Sequence, residues 1–323
     1  MRLRQIAFRL SGLGLLALIL VKLDLKATAA ALANVRWSYL LAAVAANLLL
    51  FGLKSWRWRE LLRMQGSVYP WRDAFLAFVA GLFLGLVTPG RVGEMGKAFY
   101  LEQDQGMPLS EGLASVLMDR LFDLYTILVL GAIGLAWFRL IPTWAMVLVA
   151  IGTGAALLLP FALLSEQLAA AGLGLVRRLP IVRRYDTRLT EATERFQRAL
   201  QPLLTPGLIA PLGLTLAAYA LFFGQGQLLT LALALPMDIV YLAVCLSVAG
   251  VITVLPISIS GLGTRDAILI GLFAPLGIRA ERAVAFSTLF FLTFYIGGGA
   301  IGAVAWLLKP LEKHSARALG NEQ

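Results

Sequence analysis

Apolar residues lie in long runs along this chain, and they do not alternate with polar residues as they would in the strands of a barrel. The runs fall near residues 7–22, 38–53, 74–88, 107–138, 143–164, 207–235, 239–257, 262–276 and 283–308. About 20 helical residues cross a hydrocarbon core roughly 30 Å thick, and several runs reach this length. The pattern therefore predicts an all-α polytopic membrane protein, with residues 1–323 forming a single transmembrane domain.

Composition supports this class and narrows the chemistry. Of the residues, 59% are hydrophobic and 14% are charged, whereas a soluble domain is about half apolar and about a quarter charged. The single cysteine excludes an internal disulfide, and the single histidine argues against histidine catalysis. The net charge of +10 is interpreted as basic loops that face anionic headgroups, so no nucleic acid is expected as a partner. We expect no metal, no cofactor and no catalytic residue.

Two segments, 73–105 and 239–276, are interpreted as re-entrant hairpins that leave the membrane on the side they entered. Their arms hold about 15–19 residues, which is short for a full crossing. With both hairpins, about 18 of the 28 Lys and Arg residues lie inside and about 6 outside; with one ordinary span in place of each, the split is about 12 to 12. The positive-inside rule therefore favours about six full spans plus two hairpins, with both termini cytoplasmic, in a bacterial cytoplasmic (inner) membrane.

The two hairpins also resemble inverted copies of each other. Aligning Gly90 with Gly261 brings the long helices 107–138 and 283–308 into register. The predicted repeat halves are residues 38–164 and 207–308. A basic cytoplasmic segment, residues 165–205, joins them. The residues predicted to break the hairpin helices are Pro89, Gly90, Gly93, Pro256, Gly261 and Gly263. Inverted repeats with broken helices near the midplane are typical of secondary transporters.

Ionisable residues inside the predicted membrane segments are the candidate functional residues, four of them cationic and four acidic. They are Arg91, Glu94, Lys97, Asp119, Arg120, Asp123, Arg265 and Asp266. Each charge at the centre of a lone helix costs about 2.5–3.5 kcal/mol, so these side chains are expected to face one another or water.

The chain that follows each predicted break suits an anion. A helix start carries unpaired N–H groups with partial positive charge, which favours a phosphate or a carboxylate. Arg91 and Arg265 lie beside these starts, while Thr88 and Ser260 can cap the helices or donate to the same anion. The candidate substrate-binding residues are Thr88, Arg91, Glu94, Arg120, Ser260, Arg265 and Asp266. The candidate coupling or ion-pairing residues are Lys97, Asp119 and Asp123.

Simpler interpretations apply to the charged residues and to one tryptophan-rich stretch. The balanced charges would also fit a static salt-bridge network that pins the two hairpins together. The stretch LKSWRWRELLR (Leu53 to Arg63) is interpreted as an interfacial anchor, because Trp56 and Trp58 lie among basic residues there.

Three ordered motifs resemble those of a known family. TPGRVGE, then DRLFDL, and GLGTRDA near the C-terminus are similar to the lysylphosphatidylglycerol synthase transmembrane-region family, which includes the membrane half of the bacterial multiple peptide resistance factor. The resemblance implies a flippase fold with re-entrant helices around a central charged cavity. In the resistance factor this half moves aminoacylated phosphatidylglycerol, and a separate soluble domain makes that lipid. This chain ends at Gln323 without such a domain, so no synthase activity is expected.

The favoured hypothesis is a lipid flippase that moves a phospholipid or a lipid-linked headgroup between leaflets through that cavity. Its expected partners are membrane lipids with an anionic phosphate, including those with an aminoacylated headgroup, and a homo-oligomer is compatible with the fold. Two alternatives stay open. A membrane-embedded lipid transferase would use Glu94 or Asp123 as its base. A non-catalytic partner of a lipid-modifying enzyme would dock through residues 165–205.

Overall fold

A computed structural model describes residues 32–139, 142–165, 167–168, 186–254 and 263–311. The α-helices in chain order are α1 (Trp37–Met64), α2 (Trp71–Val87), α3 (Gly96–Gln105), α4 (Leu109–Trp137), α5 (Thr143–Leu164), α6 (Asp186–Leu200), α7 (Ile209–Ala232), α8 (Ile239–Val254), α9 (Thr264–Phe273), α10 (Ala280–Phe290) and α11 (Gly298–Leu308). Short 3₁₀ segments occupy Pro89–Met95, Gln201–Leu204, Pro206–Leu208 and Ala274–Leu276, and Phe291–Gly297 is a π-helix. No strand occurs in these described ranges, which confirms the all-α class.

Four helical segments in the described part of the chain are long and apolar enough to cross a membrane. They are Trp37–Met64, Thr143–Leu164, Pro206–Ala232 and Ala280–Leu308. Large apolar side chains on them are exposed, among them Leu49 at 66% and Leu158 at 64%. Because a helix satisfies its own backbone hydrogen bonds, such an apolar exterior suits lipid. The predicted span 7–22 lies outside the described residues.

The chain forms two compact units, and each draws segments from both predicted repeat halves. The first unit comprises the described residues up to Lys54 and those within Arg120–Ala162 and Leu212–Gly297. Within it, the hydroxyl of Tyr241 at the start of α8 donates to the carbonyl of Leu272 at the end of α9, 2.7 Å away. These two helices therefore run antiparallel. The rings of Phe273 and Phe286, 5.4 Å apart, pack α9 against α10 in the apolar core. The inverted repeat itself stays a prediction.

The second unit comprises Ser55–Asp119 and the described residues within Leu163–Pro211 and from Gly298 onward. Helix α2 packs against the chain that follows it. A Cβ atom at Gly81 would lie 2.8 Å from Cγ of Lys97, and one at Gly85 would lie 2.3 Å from Cγ of Glu94. Gly81 therefore lies opposite Lys97, and Gly85 lies opposite Glu94. Helix α2 and the segment that follows its break thus run in opposite directions. The small residues of α2 thus make room for two ionisable side chains.

Helix α11 also packs closely on α2 in the second unit. A Cβ atom at Gly302 would lie 2.4 Å from the carbonyl oxygen of Val79, so the two helices meet backbone to backbone. Glycine is the residue that permits such an approach between membrane helices.

A clamp formed by Lys309 fixes the end of α11. Its Nζ lies 2.6 Å from carboxylate oxygens of both Asp73 and Asp104, and Tyr100 donates to its backbone carbonyl at 2.7 Å. The hydroxyl of Tyr69 donates to Asp104. Burial, together with this hydrogen bond and the charge of Asp104, raises the pKa of Tyr69 well above its usual range. Tyr69 therefore stays neutral and serves as a donor.

Candidate functional site

Asp119 on α4 lies between two cations in the second unit. Arg57 donates from Nε and Nη2 to Oδ1 of Asp119 at 2.9 and 2.7 Å, and from Nη2 to its carbonyl at 3.0 Å. Lys97 donates to Oδ2 at 2.6 Å. All three side chains are at most 1% exposed. One carboxylate thus holds two cations away from solvent, where charges interact strongly.

Aromatic side chains enclose this triad. The Nζ of Lys97 lies 4.5 Å from the ring centre of Phe78 and 5.3 Å from that of Trp58. The indole N–H of Trp58 donates to the hydroxyl of Ser115 at 3.0 Å, which fixes the ring against α4. Rings at these distances attract the ammonium group through their quadrupoles and keep water out.

The first predicted break does not start an α-helix directly. Helix α2 ends at Val87, a 3₁₀ helix occupies Pro89–Met95, and α3 begins only at Gly96. Thr88 lies between the end of α2 and the 3₁₀ helix. Its hydroxyl accepts from the N–H of Gly93 at 2.7 Å and donates to the carbonyl of Leu84 at 2.8 Å. A helix thus starts after Thr88, as a proline-led 3₁₀ helix that is followed by α3.

The other residues of this break are only partly described. Glu94, only 2% exposed, is seated against Gly85 of α2. The backbone of Pro89, Gly90 and Arg91 belongs to the 3₁₀ helix, but the side chains of Pro89 and Arg91 lie outside the described part of the chain.

Asp123 has its own cation in the first unit. Both of its carboxylate oxygens accept from Nζ of Lys54 at 3.0 Å, and its backbone carbonyl accepts from the hydroxyl of Tyr219 at 3.1 Å. The same Nζ lies 5.5 Å from the ring centre of Tyr219. Asp119 and Asp123 are therefore each paired with a basic residue of α1. Arg120, between them in sequence, is partly buried.

The second predicted break leads into α9. Gly263 precedes this helix with φ of 79°, a conformation that favours glycine. Its N–H donates to Oδ2 of Asp266 at 2.8 Å, so this carboxylate caps the helix. Pro256, Ser260 and Gly261 lie outside the described residues.

Arg265 forms the centre of a second buried cluster, in the first unit. Its Nε donates to the hydroxyl of Ser287 at 2.8 Å and its Nη2 to the carbonyl of the same residue at 3.2 Å, while that hydroxyl donates to Asp266. Nη2 lies 3.9 Å from Oδ1 of Asp266. Ser287 thus connects the guanidinium to the carboxylate, and the pair is held mainly through this hydroxyl.

One arm of Arg265 has no hydrogen bond within this cluster. The side chain is 3% exposed, yet its Nη1 has no hydrogen-bond partner among the described residues. The guanidinium carbon lies 5.5–5.9 Å from the ring centres of Phe290, Phe291 and Tyr295. Two of these rings belong to the π-helix, a form that occurs frequently at functional sites. The Nη1 group of this permanently charged guanidinium therefore keeps two buried N–H donors without an acceptor among the described residues.

Sequence reasoning missed Lys54, Arg57 and Ser287. The first two were assigned to an interfacial anchor, but Arg57 and Trp58 are fully buried, whereas Trp56 is 48% exposed. Their spacing held a usable signal, since residues 54, 57, 58 and 61 recur at the positions of one helical face. Ser287 offered no such signal, because a lone serine in an apolar helix is usually a packing residue.

The fold and these clusters define a helical membrane protein whose interior holds buried ion pairs. The chain belongs to the lysylphosphatidylglycerol synthase transmembrane-region family, whose profile matches residues 5–302. A UPF0104 membrane protein from Methanocaldococcus jannaschii is 25% identical, with 86% of each chain covered. Another, from Methanothermobacter thermautotrophicus, is 25% identical, with 77% of each chain covered. No solved structure matches the chain. The family name links this membrane protein to lipid metabolism.

Proposed function

We propose that this protein is a lipid flippase, which moves a phospholipid or lipid-linked headgroup with an anionic phosphate between the leaflets of its membrane. The observation that carries the proposal is Arg265, a permanent cation that is 3% exposed and keeps Nη1 without a hydrogen-bond partner among the described residues. A buried guanidinium arm that lacks a partner is costly, so it calls for a transient anionic one. A phosphate oxygen meets that need with a charge-assisted hydrogen bond.

The buried charges support transport over a purely structural role. Replacing a buried ion pair with apolar residues is often neutral or stabilising, so a network of several pairs in lipid is poor evidence for stability alone. Ionisable groups inside membrane segments more often mark a substrate pathway. Asp119 with its two cations and Asp123 with Lys54 are proposed as charge partners that the headgroup exchanges during passage.

The proposal includes a topology. About six full spans and two re-entrant hairpins, related as an inverted repeat, would place both termini in the cytoplasm of a bacterial cell. The antiparallel packing of α2 on the following arm, and of α8 on α9, supports the hairpins. Broken helices of this kind let alternating access proceed by rocking of the repeats. Lipids with an aminoacylated headgroup and a second copy of the chain are proposed partners.

Liposome reconstitution tests the proposal. The purified protein is incorporated into vesicles that contain fluorescent phospholipids, and a membrane-impermeant quencher reports lipid that reaches the outer leaflet. Arg265→Gln is compared with Arg279→Gln, the same substitution at a side chain that is 73% exposed. Losing a charge-assisted contact to phosphate should slow exchange roughly 10- to 100-fold at Arg265, with little change at Arg279. Arg265→Lys keeps the charge but loses the planar fork, so an intermediate rate is expected.

Each result has a clear meaning once the melting temperatures of the variants are shown to be similar. Equal exchange by wild type and Arg265→Gln would remove the support that Arg265 gives. Exchange no faster than in empty vesicles, with anionic, zwitterionic and aminoacylated headgroups all tried, would reject the flippase. Mass spectrometry of the recovered lipids distinguishes a transferase, because an enzyme leaves a covalently changed lipid.

A further inference from the structure

A polar pocket lies in the second unit, between α6 and the ends of other helices, and its lining includes no residue of the buried clusters. It has a volume of about 210 Å³. Its polar lining comes from Gln65, Glu111, Arg195 and Arg198. Both arginines belong to the basic segment 165–205.

The pocket lies at the level where membrane-crossing segments end. Gln65 directly follows the segment that ends at Met64, and another begins at Pro206, a few residues after the α6 helix. Helix α6 is also tied to the end of α5, because the amide of Gln197 donates to the carbonyl of Leu163 at 2.9 Å. The end of a spanning helix marks the depth of lipid headgroups. A lipid in the adjacent leaflet can therefore place its headgroup here.

The two arginines of the pocket have weak partners. The Nη2 of Arg195 lies 3.7 Å from a carboxylate oxygen of Glu191, and the two side chains are 47% and 65% exposed. Arg198 donates from Nε to the carbonyl of Glu194 at 3.4 Å. Exposed contacts of this length contribute little, so both guanidinium groups can turn to a stronger anion. Two forked cations three residues apart on one helix suit a phosphate group.

The side-chain amide of Gln65 adds a defined acceptor. Its Nε2 donates to the carbonyls of Glu111 and Ala199 at 3.3 and 3.1 Å. Because both partners are carbonyls, they fix which end of the amide is the donor. The Oε1 atom then remains buried without a hydrogen-bond partner among the described residues. An acceptor in this position calls for a hydroxyl or another donor from a ligand.

We infer that this pocket binds the headgroup of a glycerophospholipid, with its phosphate on Arg195 and Arg198 and a headgroup hydroxyl on Gln65. Free phosphate can bind the two arginines, whereas a lipid headgroup can bind the arginines through its phosphate and Gln65 through its hydroxyl. Glu111 contributes a negative charge that weakens the binding of any anion and favours a headgroup that carries donors. The site is separate from the buried clusters of the proposed function and does not depend on transport.

The chain permits a local optical test. Cys245 is its single cysteine and is fully buried. In a Cys245→Ala background, Met107→Cys places one environment-sensitive fluorophore on the pocket lining. The labelled protein in non-ionic detergent is titrated with dihexanoyl phosphatidylglycerol, dihexanoyl phosphatidylmethanol or inorganic phosphate. Phosphatidylmethanol has the same charge as phosphatidylglycerol but lacks the headgroup hydroxyls.

Variants of the labelled protein show whether the fluorescence response comes from lipid binding at the pocket. Arg195→Gln/Arg198→Gln should weaken phosphatidylglycerol binding roughly tenfold, because two partly exposed arginine–phosphate contacts are lost. Arg72→Gln/Arg279→Gln removes the same charge from exposed arginines outside the lining and should change binding less than about twofold. Glu111→Gln should strengthen it. Circular dichroism and melting temperature confirm that each variant folds.

The possible outcomes separate the interpretations. Tighter binding of phosphatidylglycerol than of phosphatidylmethanol, weakened only by the pocket double variant, supports the inference. Equal affinity for the two lipids overturns the assignment of the hydroxyl to Gln65. Binding of inorganic phosphate without lipid binding overturns the headgroup site in favour of a free-anion site. No response, or an equal loss in both double variants, overturns the pocket altogether. None of these outcomes bears on the lipid-exchange assay, so the two proposals fail separately.

Discussion

Replacing Asp119 with Asn would leave Arg57 and Lys97 buried around a neutral side chain. The substitution keeps the shape of the carboxylate and its ability to accept, but removes the charge that compensates two cations. Both cations lie within 2.9 Å of this carboxylate, and all three side chains are at most 1% exposed. Removing one partner of a buried pair costs about 3–5 kcal/mol, because the remaining charge cannot be solvated.

Glu60 provides the matched control in the same unit. It pairs with Arg63 at 2.9 Å, but Arg63 is 46% exposed, so water can replace the lost interaction. Glu60→Gln should therefore cost less than about 1 kcal/mol. Both substitutions replace a carboxylate with its amide, but the Asp119 carboxylate is buried and holds two cations, whereas the Glu60 carboxylate pairs with one partly exposed arginine.

Thermal unfolding of the purified variants in detergent micelles measures the difference. Asp119→Asn should lower the melting temperature on the order of 10 °C, and Glu60→Gln by no more than about 3 °C. Adding Lys97→Met to Asp119→Asn removes one excess cation and should recover part of the loss. A loss for Asp119→Asn that is no larger than for Glu60→Gln would refute the reasoning, since it would mean that the triad is effectively solvated. Failure of Lys97→Met to recover stability would show that the cost comes from geometry and not from excess charge.

Three further substitutions test the packing and the second cluster, each by thermal unfolding of the purified variant. Gly302→Ala should destabilise by about 1–3 kcal/mol, because its Cβ would lie 2.4 Å from a backbone oxygen of α2, whereas Gly152→Ala, with nothing within 4 Å, should not destabilise. Lys309→Met should cost about 1–3 kcal/mol, because two carboxylates 2.6 Å away lose their shared cation; an unchanged melting temperature would dismiss the clamp. Ser287→Ala should also cost about 1–3 kcal/mol, because the buried Nε of Arg265 loses its acceptor, and a neutral result would mean that water takes its place.

The membrane class and the long helices were predictable from short stretches of sequence. The apolar runs near 38–53, 143–164, 207–235 and 283–308 each contain or overlap one of the four membrane-length segments of the described chain. A helix in lipid satisfies its own backbone groups, so its existence depends on local apolar length and little on partners. The family was predictable for a similar reason, because its motifs are short and keep their order along the chain.

The partners of the charged residues were harder to predict. The apolar pattern placed Asp119 and Asp123 inside a predicted membrane segment, but it left their cations unnamed. Arg57, which lies 62 residues from Asp119, was assigned to the interface because tryptophan and arginine together usually mark one. In the structure α1 continues to Met64, and Arg57 is buried within it. The assignment of Arg57 to the membrane interface was wrong because α1 extends beyond its apolar run near 38–53.

The sequence by itself therefore determined that this chain is an all-helical membrane protein of its family, and which ionisable residues lie within the apolar segments. These properties depend on local length, hydropathy and motif order, which each segment carries on its own. Only the tertiary structure decided that Asp119 holds two cations, that Asp123 takes Lys54, and that Ser287 connects Arg265 to its carboxylate. Such contacts join residues far apart in the chain, so they are set by which helix faces meet.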